Sequence, residues 1–135
     1  MVYAVIDTNI FVSAFITKNA TASTRRVINS LFAGKIKPLY NDEIIEEYSE
    51  VLHRSKFHLA DKDIQRLLYF IQINGIDSSR FPYDGDMPDE DDRVFYEVAL
   101  SEEDSFLVTG NLKHFPKTPK VVTANDGDIG PRRIR

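Results

Sequence analysis

Short apolar runs alternate with amphipathic segments along this chain, which is the pattern of β-strands alternating with α-helices. Val2–Ile6 is almost wholly apolar and is typical of a strand buried on both faces of a sheet. The other predicted strands are residues 37–40, 76–81, 105–109 and 120–123. Strands separated by helices in this way predict a mostly parallel sheet with helices on both faces.

Five segments have the spacing and the end signals of helices, namely residues 10–16, 21–34, 42–54, 61–74 and 89–103. In the second segment Val27, Ile28 and Leu31 fall at helical spacing, and Gly34 is a typical helix stop. Asn41 is predicted to cap the third helix, whose first turn carries acids that suit the helix dipole.

The length and composition indicate one globular domain. The chain has 135 residues, of which 42% are apolar, and this suits a single core rather than two domains. We assign the domain to residues 1–124 and expect residues 125–135, which carry Gly and Pro without periodicity, to form a loose tail. The chain has no cysteine, which excludes disulfides, thiolate metal sites and a cysteine nucleophile.

The formal charge is 17 − 21 = −4, which by itself does not favour binding to nucleic acid. Acids concentrate at residues 84–92 and 102–104, so a bound cation would leave the rest of the surface less negative. No apolar run approaches the roughly 20 residues that span a bilayer, and the amino terminus lacks the features of a signal peptide. We therefore expect a cytoplasmic protein without membrane contact.

Polar residues follow two of the predicted strands, and in parallel sheets ligands bind at these carboxyl ends, near the point where strand order reverses. Asp7 directly follows the first strand, and Asn111 follows the strand 105–109 through Gly110. The structural alternative for Asp7 is to cap the next helix, although Thr8 or Asn9 can cap it instead and leave Asp7 free. For Asn111 the alternative is simple turn formation.

One acid can be singled out in the helix 42–54 by its geometry. At ~100° per residue, the apolar residues of this helix form one stripe, and Glu47 borders that stripe. Glu43, Glu46 and Glu50 lie nearly opposite the centre of the stripe. Glu47 can therefore turn toward a cleft, although a solvated boundary residue is the plainer interpretation.

The start of the helix 89–103 carries more acids than capping requires. Acids in a first turn are favourable by roughly 0.3–1 kcal/mol each, but Asp89, Asp91 and Asp92 stand there together with Glu90. Asp91 and Asp92 both fall on the side of the buried stripe, and helix geometry does not separate them.

Several oxygen donors are thus predicted to meet at one edge of a parallel sheet. Mg²⁺ and Mn²⁺ prefer such donors and keep several waters, one of which can attack a phosphodiester. Without a cation, clustered acids raise one another's pKa. The histidines His53, His58 and His114 are scattered near basic residues, and surface or RNA-phosphate contact is favoured over metal ligation for them.

Four stretches of the chain resemble the PIN-domain family: VYAVIDTNIFVSAF, NDEIIEEYSEVLHR, PDEDDRVFYEVAL and FLVTGNLKHFP. They occur in this order over about residues 2–124, and the first and last together are the most specific. The chain is most similar to the toxins of bacterial and archaeal toxin–antitoxin pairs, the virulence-associated-protein C type. The resemblance implies a three-layer α/β/α sandwich with a parallel sheet of about five strands. It also implies Mg²⁺- or Mn²⁺-dependent endoribonuclease activity, inhibition by a partner antitoxin, and a homodimer.

The resemblance assigns metal binding to Asp7, Glu47 and Asp92, with Asp89 as an auxiliary acid, and so removes the ambiguity with Asp91. Asn111 is expected to contact the metal directly or through water. The pocket is expected to be shaped by Thr8, Asn9 and Thr109. Asn111 stands where many family members carry Asp, so the site has one charge fewer, and a second metal ion should bind more weakly.

Two other classes of protein compete with the nuclease. A PIN-like RNA-binding module that has lost catalysis is favoured by Asn111. A phosphorylation-dependent receiver domain is also doubly wound, but it needs paired acids after the first strand and a Lys after the last strand. This chain has the single Asp7 and lacks that Lys, so the endoribonuclease is the preferred hypothesis.

Overall fold

The computed structural model describes residues 1–124, so the predicted tail at residues 125–135 lies outside the described residues. The strands of the described part are β1 (Val2–Ile6), β2 (Ile36–Tyr40), β3 (Ile76–Asp77), β4 (Ser105–Thr109) and β5 (Val121–Thr123). Its α-helices are α1 (Thr8–Ile16), α2 (Ser23–Phe32), α3 (Asp42–Leu52), α4 (Asp61–Asn74) and α5 (Arg93–Ser101). Short 3₁₀ turns lie at Ser55–Phe57, Glu90–Asp92 and Leu112–His114.

The strands form one sheet in the order β3-β2-β1-β4-β5, and every neighbouring pair is parallel. This confirms the predicted α/β/α architecture with a parallel sheet. From β1 the chain proceeds first to β2 on one side and later to β4 on the other side. The strand order therefore reverses between β1 and β4, and their carboxyl ends form the crevice where ligands bind in such sheets.

Tyr48 of α3 holds the helices around the carboxyl end of β1. It is fully buried, and its hydroxyl donates a hydrogen bond to the backbone carbonyl of Ile6, the last residue of β1. Its ring packs edge-on against Phe11 of α1 at 5.0 Å and against Phe95 of α5 at 6.0 Å between centroids. Three helices are thus positioned around one strand end by a single aromatic residue.

The predicted helix end signals at Gly34 and Asn41 act as expected, and Gly75 ends a third helix. Gly34 has φ +80°, a conformation that suits glycine, and it follows α2 directly after the cap residue Ala33. The Asn41 side chain accepts a hydrogen bond from the Ile44 N–H at 2.9 Å and so caps α3. Gly75 ends α4, and a Cβ there would lie 2.5 Å from the carbonyl oxygens of Ile71 and Pro38.

Several predicted elements are shorter than expected, and for two of them the contacts that shorten them can be named. The segment 89–103 is a 3₁₀ turn at Glu90–Asp92 followed by α5, because Asp89 accepts a hydrogen bond from the Asp91 N–H and caps the tighter turn. The third strand is confined to Ile76–Asp77, since Phe81 donates its N–H to the backbone carbonyl of Glu97 in α5 instead of extending the sheet. Both changes come from contacts with partners that local periodicity does not reveal.

Candidate active site

The carboxyl ends of β1 and β4 bring Asp7 and Thr109 into contact. The Asp7 N–H donates to the Val108 carbonyl at 2.9 Å, which places Asp7 beside the end of β4. The Thr109 hydroxyl donates to Asp7 Oδ2 at 2.7 Å across 102 positions of sequence. Asp7 is 4% exposed and Thr109 is fully buried. The predicted pocket residue Thr109 therefore directly orients the first candidate ligand.

The expectation that Thr8 or Asn9 caps α1 is wrong. Helix α1 begins at Thr8, so Thr8 and Asn9 lie inside its first turn and Asp7 occupies the cap position. The Asp7 side chain nevertheless makes no capping hydrogen bond and is directed to Thr109. The Thr8 hydroxyl is buried without a hydrogen-bond partner, whereas Asn9 is exposed. An unpaired buried hydroxyl next to Asp7 is the kind of group that a bound water or ligand would satisfy.

Burial raises the pKa of the Asp7 carboxyl above its ordinary value. The hydrogen bond from Thr109, the nearby N–H groups of Thr8 and Asn9, and the charge of His114 act in the opposite direction without cancelling the effect of burial. A buried carboxylate of this kind gains from a positive partner, because charge in a poorly solvated position is costly.

Asp92 and Glu47 are electrostatically coupled to Asp7. Burial raises the pKa of Asp92 to about 7, and the negative charges of Asp7, Asp89 and Glu47 add to the shift while His114 opposes it. The pKa of Glu47 is also raised, first by burial and then by the charges of Glu50, Asp91 and Asp7, with Arg54 opposing. Carboxylates from three separate elements therefore repel one another at this edge of the sheet.

The structure also distinguishes these acids from their neighbours along the chain. Glu47 is half-buried, whereas Glu43, Glu46 and Glu50 are exposed, as the helical geometry predicted. The Asp92 side chain is 16% exposed, and Asp91 is an exposed residue.

Asp89 and Asn111 lie at the rim of the site and not inside it. Asp89 is exposed and caps the Glu90–Asp92 turn through its Oδ1. Asn111 is exposed, and its backbone N–H donates to the Thr109 hydroxyl oxygen at 3.1 Å. Its Oδ1 accepts from the Lys113 N–H at 3.1 Å, and its amide nitrogen is turned toward His114.

His114 belongs to this site, although sequence reasoning placed it at the surface. Its Nε2 lies 3.1 Å from the Asn111 amide nitrogen, and its Nδ1 lies 3.6 Å from Asp92 Oδ2. In the neutral ring the Asn111 amide donates to Nε2 and the ring proton lies on Nδ1, which faces Asp92. The protonated ring brings a positive charge that opposes the raised pKa of Asp7 and of Asp92. The spacing from Asn111 could have indicated that His114 belongs to the site. Residues i and i+3 lie on the same side of a 3₁₀ turn, and His114 is three residues after Asn111.

A second unpredicted group lies beside the acids. Arg80 Nε donates to Glu97 Oε1 at 2.7 Å, and its Nη1 donates to both carboxylate oxygens of Glu43 at 2.9 and 3.0 Å. Burial acts to raise the pKa of Glu97, but hydrogen bonds from the Tyr83 N–H and Arg80 outweigh it and hold the pKa below its ordinary value. These contacts hold residues 80–83 against α5. Arg80 and Glu43 also line a cleft of about 210 Å³, together with Glu47 and Asp91.

The donor chemistry of the site fits a hard divalent cation. Among residues 1–124, no three acidic or histidine side chains lie close enough together to hold an ion as they stand. The buried Asp7, the coupled Asp92 and Glu47 and the unpaired Thr8 hydroxyl are oxygen donors whose mutual repulsion a cation would remove.

The family model of the PIN domain matches residues 3–113, a span that includes every strand except β5 and all the candidate acids. Comparison with curated proteins and with solved structures gave no match. No helix within residues 1–124 is long and apolar enough to cross a membrane. Because the match covers most of the chain and contains all the candidate acids, the chain belongs to the PIN domain family, whose members are generally nucleases.

Proposed function

We propose that this PIN domain is a metal-dependent endoribonuclease and acts as the toxin of a type II toxin–antitoxin pair. The observation that carries the proposal is the meeting of three buried or half-buried carboxylates from separate elements, each with a raised pKa, at the point where strand order reverses. Perturbed carboxylates that gather in a ligand crevice are candidates for catalysis, and membership of a nuclease family gives them a reaction.

In this proposal Asp7, Glu47 and Asp92 hold Mg²⁺ or Mn²⁺, and Asn111 contacts it directly or through water. The cation supplies charge neutralisation at the scissile phosphate and lowers the pKa of an attacking water. Thr109 keeps Asp7 turned into the crevice by its hydrogen bond to Oδ2. His114 opposes the negative charge at both Asp7 and Asp92, so it limits their repulsion before the cation binds.

The toxin role, the cytoplasmic location, the cognate antitoxin and a homodimer rest on the resemblance of the chain to virulence-associated-protein C toxins. The adjacent reading frame tests this part. A small upstream gene for a DNA-binding protein that copurifies with this chain supports the toxin role, and its absence favours RNA processing.

RNA cleavage is the direct test of the proposed activity. Purified protein mixed with structured RNA and Mn²⁺ should produce discrete fragments, and excess EDTA should stop the reaction. DNA of the same sequence serves as the comparison substrate. Discrete RNA fragments that depend on metal support the proposal, whereas an unchanged RNA in every metal tested contradicts it.

A second candidate is a PIN-like RNA-binding module with weakened catalysis. Asn111 favours it, because this amide brings no charge to the site and already accepts a hydrogen bond from Lys113 through its Oδ1. Retention of RNA without cleavage would identify the module. The receiver-domain alternative has no support, because the chain belongs to the PIN domain family.

Glu47→Gln and Glu46→Gln form a matched pair on α3. Glu47 is half-buried and coupled to Asp7, whereas Glu46 is exposed. We expect Glu47→Gln to lower kcat for RNA cleavage by at least about tenfold, because one candidate ligand loses its charge. Glu46→Gln should cleave like the unsubstituted protein. Equal rates for the two variants would exclude Glu47 from the metal site.

A further inference from the structure

The loop after β4 contributes to a second feature besides the acidic crevice. His114 lies beside Asp92 and contacts Asn111, and the residues that flank His114 along the chain line a groove of about 770 Å³. This volume lies within the range of about 300–1,000 Å³ that is usual for ligand sites. Because the same loop contributes to both features, a ligand in the groove lies next to the crevice.

The groove has an apolar floor and a basic rim. Its lining includes Leu112, Phe115, Pro116 and Pro119 together with Lys113 and Lys117, and none of the described lining residues is acidic. Leu112 is 47% exposed, while Phe115 is 5% exposed and therefore belongs mainly to the core. The cleft around Arg80 differs in charge from this groove, because its lining contains the acids Glu43, Glu47, Glu90 and Asp91.

We infer that this groove binds unpaired nucleotides of the RNA next to the scissile phosphate, an inference that rests on the proposed nuclease function. Lys113 and Lys117 offer positive charge to phosphates in a chain whose net charge is −4. The apolar floor offers contact to the faces of bases, which are free in a single strand and stacked inside a duplex.

The composition of the groove also limits what it recognises. Single-strand sites combine a basic groove with surfaces on which bases pack, and packing of this kind tolerates every base. The floor here is mostly aliphatic and carries no carboxylate or carboxamide side chain among the described lining residues, so it has little means of reading base edges. The groove therefore selects for unpaired structure and leaves base identity to other contacts.

The test measures RNA affinity in the full chain carrying Asp7→Asn, which is expected not to cleave. Lys113→Gln with Lys117→Gln should weaken binding of a short single-stranded RNA by about tenfold. The double variant should also lower the slope of log affinity against log salt by about 1.4, at about 0.7 per phosphate contact. Lys62→Gln, at an exposed position in the first turn of α4, is the control and should leave both quantities unchanged.

Leu112→Ser tests the apolar floor separately from charge. We expect it to weaken single-stranded RNA binding several-fold and to leave the affinity for a duplex of the same sequence unchanged. Ile73→Ser, at a 62% exposed position of α4, is the matched control. Circular dichroism should show that all variants fold, since the groove and control side chains are exposed and the Asp7→Asn background is common to all of them.

Each outcome decides the matter. Selective loss of single-strand affinity in the groove variants supports the inference, and affinities equal to those of the controls overturn it. A change in sedimentation mass with Leu112→Ser and no change in RNA affinity would assign the groove to a second copy of the chain instead.

If the unsubstituted protein cleaves RNA while the groove variants bind normally, this inference fails and the nuclease function stands. If no RNA is cleaved, the proposed function fails independently of the groove.

Discussion

Substitution of Asp7 by Asn should abolish RNA cleavage and at the same time make the metal-free protein more resistant to heat. Asp7 is the most buried of the candidate acids, and its charge contributes to the raised pKa of both Asp92 and Glu47. Loss of this charge removes the central candidate ligand of the cation. We expect kcat to fall by at least about 100-fold, the scale on which a single group stabilising a transition state acts.

The gain in stability follows from linkage. The pKa of Asp7 is raised in the folded state, so the folded protein holds the Asp7 proton more tightly than the unfolded chain does. The stability contributed by this group is complete at low pH and is lost as the pH rises through the folded pKa. At neutral pH a buried carboxylate is therefore unfavourable, and the neutral Asn, which can still accept the Thr109 hydrogen bond, removes that cost.

Two measurements check the Asp7→Asn prediction, namely single-turnover RNA cleavage and thermal unfolding in EDTA. Asp104→Asn, at an exposed acid just before β4, is the control and should change neither. If the protein is the proposed toxin, growth arrest on expression should disappear with Asp7→Asn and persist with Asp104→Asn. Cleavage at an undiminished rate would remove Asp7 from the mechanism. A lower melting temperature would show that burial of the charge is not the dominant cost at this position.

The second large effect concerns Asp92 and pH. The pKa of Asp92 is about 7 in the folded protein against 3.8 for an ordinary Asp, and burial is the main cause. Because the folded pKa is the higher one, the contribution of Asp92 to stability is full below about pH 4 and is lost as the pH rises to about 7. We expect the metal-free protein to lose stability over this window, and Asp92→Asn to lose less of it.

A divalent cation should reverse this pH dependence. Cation binding competes with protonation of Asp92, so the affinity for Mn²⁺ should rise with pH up to about 7 and level off above it. Calorimetric titration with Mn²⁺, together with thermal unfolding in EDTA and in Mn²⁺ from about pH 4 to about pH 8, measures both effects. Asp104→Asn should follow the unsubstituted protein. Identical pH profiles for the unsubstituted protein and Asp92→Asn would show that Asp92 titrates normally and does not share the site with Asp7.

Much of the fold could be predicted because burial leaves a local periodic pattern in the sequence. Strands β1 and β4 and helix α4 have the bounds that were predicted. Asn41 and Gly34 mark helix ends as expected. Glu47 could be singled out among the four glutamates of one helix because the helical period alone decides which side chain borders the buried stripe.

The segment around Asp92 shows where local reasoning stops. Both Asp91 and Asp92 suited the predicted helix. A 3₁₀ turn instead leaves Asp92 partly buried and Asp91 exposed, and this turn depends on the Asp89 cap and the packing of α5. The capping role given to Thr8 or Asn9 was wrong for a similar reason, since the start of α1 is decided by the partner that Asp7 finds on β4.

The residue pattern was therefore enough to give the order and type of the elements, the position of Asp7 and Asn111 at strand ends, and the inward side of α3. The hydrogen bond from Thr109 to Asp7, the place of His114 between Asn111 and Asp92, and the pKa of Asp92 near 7 arise only when the chain is folded. The two kinds of feature differ in the range of the interactions behind them. Helical and strand periods arise between near neighbours in the chain, whereas charge coupling and burial depend on distances between residues up to about a hundred positions apart.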